Sequence, residues 1–325
     1  MVRHGGNIFA VAEAAGVDFR QVLDFSASIN PLGMSPAVRE AILVAMERVE
    51  HYPERTGRAV REALGAHWGV GPERIRVGHG ATELLSAWCR GQGDGTIAAP
   101  AFGEFHAAWP EARVCALGDR GSWPAEGAVV LTRPANPTGE LVSCELVREY
   151  ARGRRGAVLV DESFIDFCEA ESLVGEAGGN LFVLRSLTKF WALPGLRIGA
   201  LVGDVAGMAK VPWPVNALAE AAAVAAVGDT EWARRTREFV KTEAGWLAGE
   251  LAGLPGVKVW DPTANYVFVE TGRGAEWGAF AAMRKVLLRD CAGWPGWPAR
   301  GVRVAVRQRW ENEVLVQLSK EFLCG

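Results

Sequence analysis

The chain has 325 residues, of which 49% are hydrophobic and 22% charged, and its 35 basic residues are offset by 38 acidic ones for a net charge of −3. That balance excludes a nucleic-acid binder held by excess positive charge, and no apolar run reaches the length of a membrane-spanning helix. The length supports one large core and a second domain.

The first residues, Met1-Val2-Arg3-His4-Gly5-Gly6-Asn7, show no apolar leader. The six cysteines, at 89, 115, 144, 168, 291 and 324, are scattered without a CxxC pair. Reduced thiols and a cytoplasmic location are therefore expected. Residues 1–40 contain no obvious strand of a large sheet and are assigned to an N-terminal arm joined to a smaller domain.

From there the pattern alternates. Strands are predicted at 74–77, 96–99, 128–132, 157–160, 181–184 and 198–202, with amphipathic helical stretches such as 82–90 and 140–152 between them. This alternation implies an α/β fold with a mostly parallel sheet, in which ligands sit at the carboxyl ends of the strands. After about residue 215 the pattern changes to a long helical stretch, 217–251. Strands at 257–260, 265–270 and 301–306 follow, and a closing helix at 310–322. The expected division is 1–40 as arm, 41–215 as the large domain, and 216–325 as an interdomain helix with a small α+β domain. Thirteen tryptophans are present, and the turn Trp294-Pro295-Gly296-Trp297 is a candidate pocket wall.

Chemistry gathers at the strand ends. Gly78-His79-Gly80-Ala81-Thr82-Glu83 opens a helix after a strand, where glycines let the backbone approach an anion and free N–H groups bind it. Arg133-Pro134 leads into Asn136-Pro137-Thr138-Gly139, a stiffened turn that presents a rigid asparagine. Asp161 ends the buried run Ala157-Val158-Leu159-Val160, where a carboxylate needs a partner. Ser186-Leu187-Thr188-Lys189 follows another buried run, and Pro194-Gly195-Leu196-Arg197-Ile198-Gly199 comes shortly after it. A desolvated lysine beside cationic groups loses its proton near neutral pH and attacks a carbonyl, giving a Schiff base. Ser186 and Arg197 suit an anchored phosphate. Taken singly, each segment also reads as an ordinary turn, cap or strand end; their convergence on one sheet edge favours a site.

Asn-Pro-Thr-Gly, Asp-Glu-Ser-Phe, Ser-Leu-Thr-Lys and Gly-Leu-Arg-Ile-Gly, in that order and spacing, resemble the fold-type I pyridoxal-phosphate enzymes of the class I/II aminotransferase superfamily. The resemblance spans nearly the whole chain. It implies a mixed, mostly parallel seven-stranded sheet in the large domain and pyridoxal 5'-phosphate as cofactor. By this match Lys189 carries the cofactor and Asp161 pairs with its pyridine nitrogen. Asn136 contacts the ring hydroxyl and Phe102 lies on the ring face. Gly80, Ala81, Thr82, Ser186 and Arg197 surround the phosphate. Tyr52 is implied to reach the cofactor phosphate of a partner subunit, hence a homodimer with shared sites.

The chain ends narrow the resemblance. His4-Gly5-Gly6-Asn7 and Phe25-Ser26-Ala27-Ser28-Ile29-Asn30-Pro31-Leu32-Gly33 are similar to the threonine-phosphate decarboxylases of cobalamin synthesis. So are Asp161–Phe167, Leu184–Phe190, Arg289-Asp290-Cys291 and Arg303–Arg307. This implies a phosphorylated amino-acid substrate, with His4 and Arg289 at its phosphate, Arg303 at its carboxylate, and Asn30 also at the substrate. The related histidinol-phosphate aminotransferases usually carry tyrosine where this chain has Phe164, and transamination is the alternative reaction. His79, Phe105, Ser163 and Trp191 depart from residues common in the family.

Overall fold

The computed structural model describes residues 5–168 and 171–325. The strands are β1 (Leu23–Asp24), β2 (Ile75–Gly78), β3 (Gly95–Ala99), β4 (Arg113–Ala116), β5 (Ala128–Thr132), β6 (Val158–Asp161), β7 (Leu181–Ser186), β8 (Gly199–Val202), β9 (Lys258–Val259), β10 (Tyr266–Glu270), β11 (Val286–Leu287), β12 (Arg289–Asp290) and β13 (Gly301–Ala305). The helices are α1 (Ile8–Ala15), α2 (Pro36–Ala45), α3 (Arg58–Trp68), α4 (Ala81–Arg90), α5 (Gly103–Ala108), α6 (Cys144–Arg152), α7 (Ala217–Gly228), α8 (Thr230–Ala252), α9 (Gly274–Ala282) and α10 (Arg309–Cys324).

The large sheet has seven strands in the order β2-β8-β7-β6-β5-β3-β4. Only β8 runs against its neighbours, β2 and β7. Central strands β3, β5 and β6 are buried at every position, as expected where helices cover both faces. One face packs on α3, α6 and α7 through residues such as Leu64, Val147 and Ala222. The other packs on α4 and α5 through Leu85, Trp88 and Phe105.

A four-stranded antiparallel sheet, β12-β13-β10-β9, has its own core of Val267, Val304, Trp277 and Leu315. The N-terminal segment joins this side. β1 pairs in parallel with β11, the Ala305 N–H donates to the Phe25 carbonyl at 2.8 Å, and the Phe25 ring is fully buried in that core. Among the described residues no helix is long and apolar enough to cross a membrane.

Three sequence expectations are corrected in detail. The seventh strand of the large sheet is β4, which the apolar pattern did not mark because this edge strand is mostly exposed. The stretch 217–251 is two helices, broken at Asp229, whose side chain accepts the Trp232 N–H at 3.0 Å and caps α8. The helix expected from 140 begins at Cys144 with Ser143 as its cap, because Glu140 is held in the preceding turn by Thr138 and Ala135.

Candidate active site

At the carboxyl ends of β5, β6 and β7 the strand alternation sorts side chains onto two faces. Thr132, Asp161 and Ser186 line a cavity of about 760 Å³ between the two sheets. Their successors or predecessors Arg133, Glu162 and Arg185 turn to the opposite face and neutralise one another. Arg133 lies 3.3 Å and Arg185 3.5 Å from the Glu162 carboxylate, which also accepts Ser172 Oγ and the Leu173 N–H. Arg185 is further paired with Asp166. This buried network braces the strand ends that carry the cavity groups.

Lys189 follows β7, its Nζ donating to Thr188 Oγ1 at 2.9 Å, and Thr188 Oγ1 lies 2.8 Å from Ser186 Oγ. Burial lowers the Lys189 pKa to about 8; the Arg197 and Arg303 charges add to the shift and Asp161 opposes it. The lysine therefore holds a neutral amine far more readily than a surface lysine does.

Asp161 is buried, which pushes its pKa up; bonds from Ser163 and the charge of Lys189 pull against that. Its Oδ1 accepts both the Ser163 N–H at 3.0 Å and Ser163 Oγ at 2.5 Å. Across the cavity Arg303 donates from Nη1 to Asn136 Oδ1 at 2.7 Å and from Nη2 to the Ser26 carbonyl at 2.6 Å. With its oxygen taken, Asn136 presents its amide N–H groups as donors. Arg289 and Arg303 are direct cross-strand partners on β12 and β13, and both line the cavity.

At one wall the chain turns from β2 into α4. Gly80 has φ +83°, and a Cβ there would stand 2.5 Å from Arg197 Nη2, so only glycine lets that guanidinium lie against the helix N-terminus. Ala81 and Thr82 open α4 into the cavity, with Ser186 and Arg197 beside them. Arg197 itself takes a left-handed backbone, φ +58°.

The residues fit pyridoxal phosphate. Among the described residues, three buried polar atoms on cavity-lining side chains have no hydrogen-bond partner: Arg303 Nε, Thr132 Oγ1 and Ser28 Oγ. A helix N-terminus with an arginine suits a phosphate, a buried carboxylate suits a basic ring nitrogen, and an asparagine donor suits a ring oxygen.

The structure thus brings Ala81, Thr82, Phe102, Asn136, Asp161, Ser186, Lys189, Arg197, Arg289 and Arg303 onto one cavity. Gly80 stands just behind it, against Arg197. Asn30 is a correction: it does not line the cavity. Its Nδ2 donates to the Phe190 carbonyl at 2.8 Å and Thr236 Oγ1 at 3.0 Å, and its oxygen accepts the Leu32 N–H. Its backbone N–H binds the Lys189 carbonyl at 3.0 Å, so it braces the lysine rather than facing a ligand. Tyr52 lies outside the cavity, 82% exposed and stacked on Trp213. His4 lies outside the described residues. Sequence reasoning assigned no role to Thr132 or Ser28, although the strand-end position of Thr132 was a usable signal. Trp294, flagged within its turn, does line the cavity.

The model of the family described as aminotransferase class I and II matches residues 115–294. The chain is 34% identical to threonine-phosphate decarboxylase of Salmonella typhimurium, over 99% of this chain and 97% of that protein. It is 31% identical to histidinol-phosphate aminotransferase of Methanocella arvoryzae, over 98% and 94% respectively. Its fold is similar to the crystal structure of histidinol-phosphate aminotransferase from Sinorhizobium meliloti in complex with pyridoxal-5'-phosphate. The TM-score is 0.81 with 19% identity, covering 98% of this chain and 95% of that one.

Proposed function

The chain belongs to the class I and II aminotransferase family, and within it we propose a pyridoxal-phosphate-dependent carboxy-lyase acting on L-threonine O-3-phosphate. The products are carbon dioxide and (R)-1-amino-2-propanol O-2-phosphate, the building block of the cobalamin nucleotide loop. The observation that carries this reading is the pairing of Arg289 with Arg303 on one wall of the cavity that holds Lys189. Opposed residues in antiparallel strands have Cα atoms roughly 5 Å apart. Two guanidinium groups so placed suit one small amine that carries two anions, a carboxylate and a phosphate. The likeness to the Salmonella decarboxylase along the whole chain supports the same reading.

Pyridoxal phosphate, when bound, supplies an aldehyde that takes up an amine and a protonated ring that draws electrons from a bond at Cα. The protein supplies the rest. Lys189 is the anchoring amine, and with its pKa near 8 its Nζ both releases and returns protons close to neutrality. Asp161 offers an acceptor to the ring nitrogen, Asn136 a donor to the ring oxygen, and the Gly80–Thr82 turn with Ser186 and Arg197 holds the cofactor phosphate. Phe102 lines the same space. Arg303 fixes the substrate carboxylate and Arg289 the substrate phosphate, with His4 assigned to the same phosphate. That grip decides which bond at Cα is aligned for cleavage. In the net reaction the Cα–carboxylate bond breaks, carbon dioxide leaves, and Cα takes a proton, for which Lys189 Nζ, lining the same cavity, is the proposed donor.

In this reading residues 41–215 form the cofactor-binding unit, 216–325 supply the substrate arginines Arg289 and Arg303, and the N-terminal arm supplies His4. The exposed Tyr52, beside exposed Leu43, Val44, Met46 and Val49, supports a homodimer in which Tyr52 reaches the cofactor phosphate of the second copy. The free cysteines are in keeping with a cytoplasmic enzyme.

The test is to incubate the cofactor-loaded protein with phosphothreonine and no keto acid, then measure carbon dioxide and amine phosphate. Turnover without an acceptor supports the lyase; turnover only with 2-oxoglutarate transfers the assignment to an aminotransferase. Arg303→Ala should lower turnover by about 30-fold or more, the effect of emptying one side of a buried charge pair. Its cofactor loading should fall by less; an equal loss of both would make Arg303 a structural residue.

A further inference from the structure

The connection from β12 to β13 is ten residues long, 291–300, where a hairpin would need two. Its base is closed by the Cys291 N–H donating to the Gly301 carbonyl at 3.0 Å. Its tip is a tight turn, with the Trp297 N–H donating to the Trp294 carbonyl at 3.1 Å and Gly296 at φ +69°. That tip does not stand in solvent. A Cβ on Gly296 would lie 2.1 Å from Val114 Cγ1 and 3.2 Å from Ala99 Cβ, so the turn rests directly on β4 and the end of β3 in the other sheet. Aromatic contacts tie the same turn back to its own sheet: Trp297 is 5.0 Å from Phe268, the cross-strand partner of Arg303, and Trp260 continues the row at 6.0 Å.

At the start of that turn Trp294 lines the cavity, and the Arg289 guanidinium lies 5.6 Å from the centre of its indole ring. An arginine over an indole face is attracted by the ring quadrupole and loses freedom to swing. We propose that the 291–300 turn is a clasp joining the two sheets over the cavity, and that Trp294 is a positioning residue that aims Arg289 at the phosphate of a short phosphorylated amine. This rests on the reading of Arg289 as the phosphate anchor. The chemistry selected is an amine whose phosphate lies a few bonds from the nitrogen.

The experiment uses cofactor-loaded protein and non-decarboxylatable probes. Affinities for inorganic phosphate, phosphoethanolamine and ethanolamine are measured calorimetrically on the wild type and on Arg289→Ala, Trp294→Ala, Trp294→Phe and Gly296→Val. Trp294→Ala should weaken both phosphate-bearing probes about 5- to 30-fold, the range of a desolvated cation–π contact, and leave ethanolamine unchanged. Trp294→Phe should recover most of the loss. Gly296→Val, which cannot seat its tip against Val114, should show the same phosphate-selective loss with the indole still present. If Trp294→Ala weakens all three probes equally, or none, the positioning role is overturned. If Arg289→Ala leaves phosphate binding intact, the assignment of Arg289 fails and the clasp's role with it. Because no probe carries a carboxylate, these outcomes are independent of whether phosphothreonine is decarboxylated.

Discussion

Lys189 was legible as a reactive amine from its neighbours in sequence; its shift comes first from burial, to which nearby charges add, one of them distant along the chain. Arg303, which adds to the lowering, lies on a strand of the other sheet. The shift has a sign in stability. The folded-state pKa of about 8 lies below the ordinary 10.5, so between those values the unfolded chain binds more protons, and this group's contribution to stability rises with pH. The cofactor-free Lys189→Met protein should therefore be more stable than the wild type at pH 7. Its advantage should shrink as pH climbs from 8 towards 10.5, measured by urea unfolding. A gap that does not change with pH would mean Lys189 is not held neutral by its surroundings. Ser163 acts on Asp161 through two bonds. Ser163→Ala keeps the backbone bond and loses the hydroxyl, a bond to a charged group. Cofactor affinity should fall roughly 10-fold, followed by spectrophotometric titration, and Ser163→Thr should restore it.

At the level of elements, the turn between β2 and α4 shows how a local motif becomes a site. Gly78-His79-Gly80 could be read as a glycine turn from sequence, yet the reason Gly80 must lack a side chain is Arg197, which arrives from beyond β7. Gly80→Ala places a Cβ against that guanidinium in a backbone region unfavourable to alanine. The expected result is a loss of cofactor affinity of about 10- to 100-fold, from overpacking, with near-wild-type far-UV circular dichroism. Unaltered cofactor binding would remove Arg197 from the phosphate wall. Elements were legible where their burial was uniform, as in β5, whose predicted and observed limits coincide at Ala128–Thr132. β4 escaped detection because a mostly exposed edge strand needs no apolar run. The α7–α8 break was missed because helical periodicity passes through Gly228-Asp229 with little interruption, and only the cap formed by Asp229 marks a new start.

On the scale of the whole molecule, the cavity is built from segments far apart in sequence and cross-tied by a few polar side chains. Arg303 ties Asn136 to Ser26, and Asn30 ties the N-terminal arm to the Lys189 loop and to α8. Asn30→Ala leaves the Phe190 carbonyl and Thr236 hydroxyl without that donor, and should cost about 1–3 kcal/mol in urea unfolding. A neutral result would show that Asn30 can be replaced by solvent. The strand ends Asp161 and Ser186–Lys189, the Asn136 turn and the α4 N-terminus were determined by sequence alone. Buried strands declare themselves as apolar runs, and chemistry in such sheets sits where those runs stop. Tertiary structure alone decided the rest. It turned Asn30 away from the cavity, set Arg289 opposite Arg303, and carried the turn at Gly296 across to the other sheet. Those placements depend on strand pairing and contacts between distant segments, which leave no periodic trace in the order of residues.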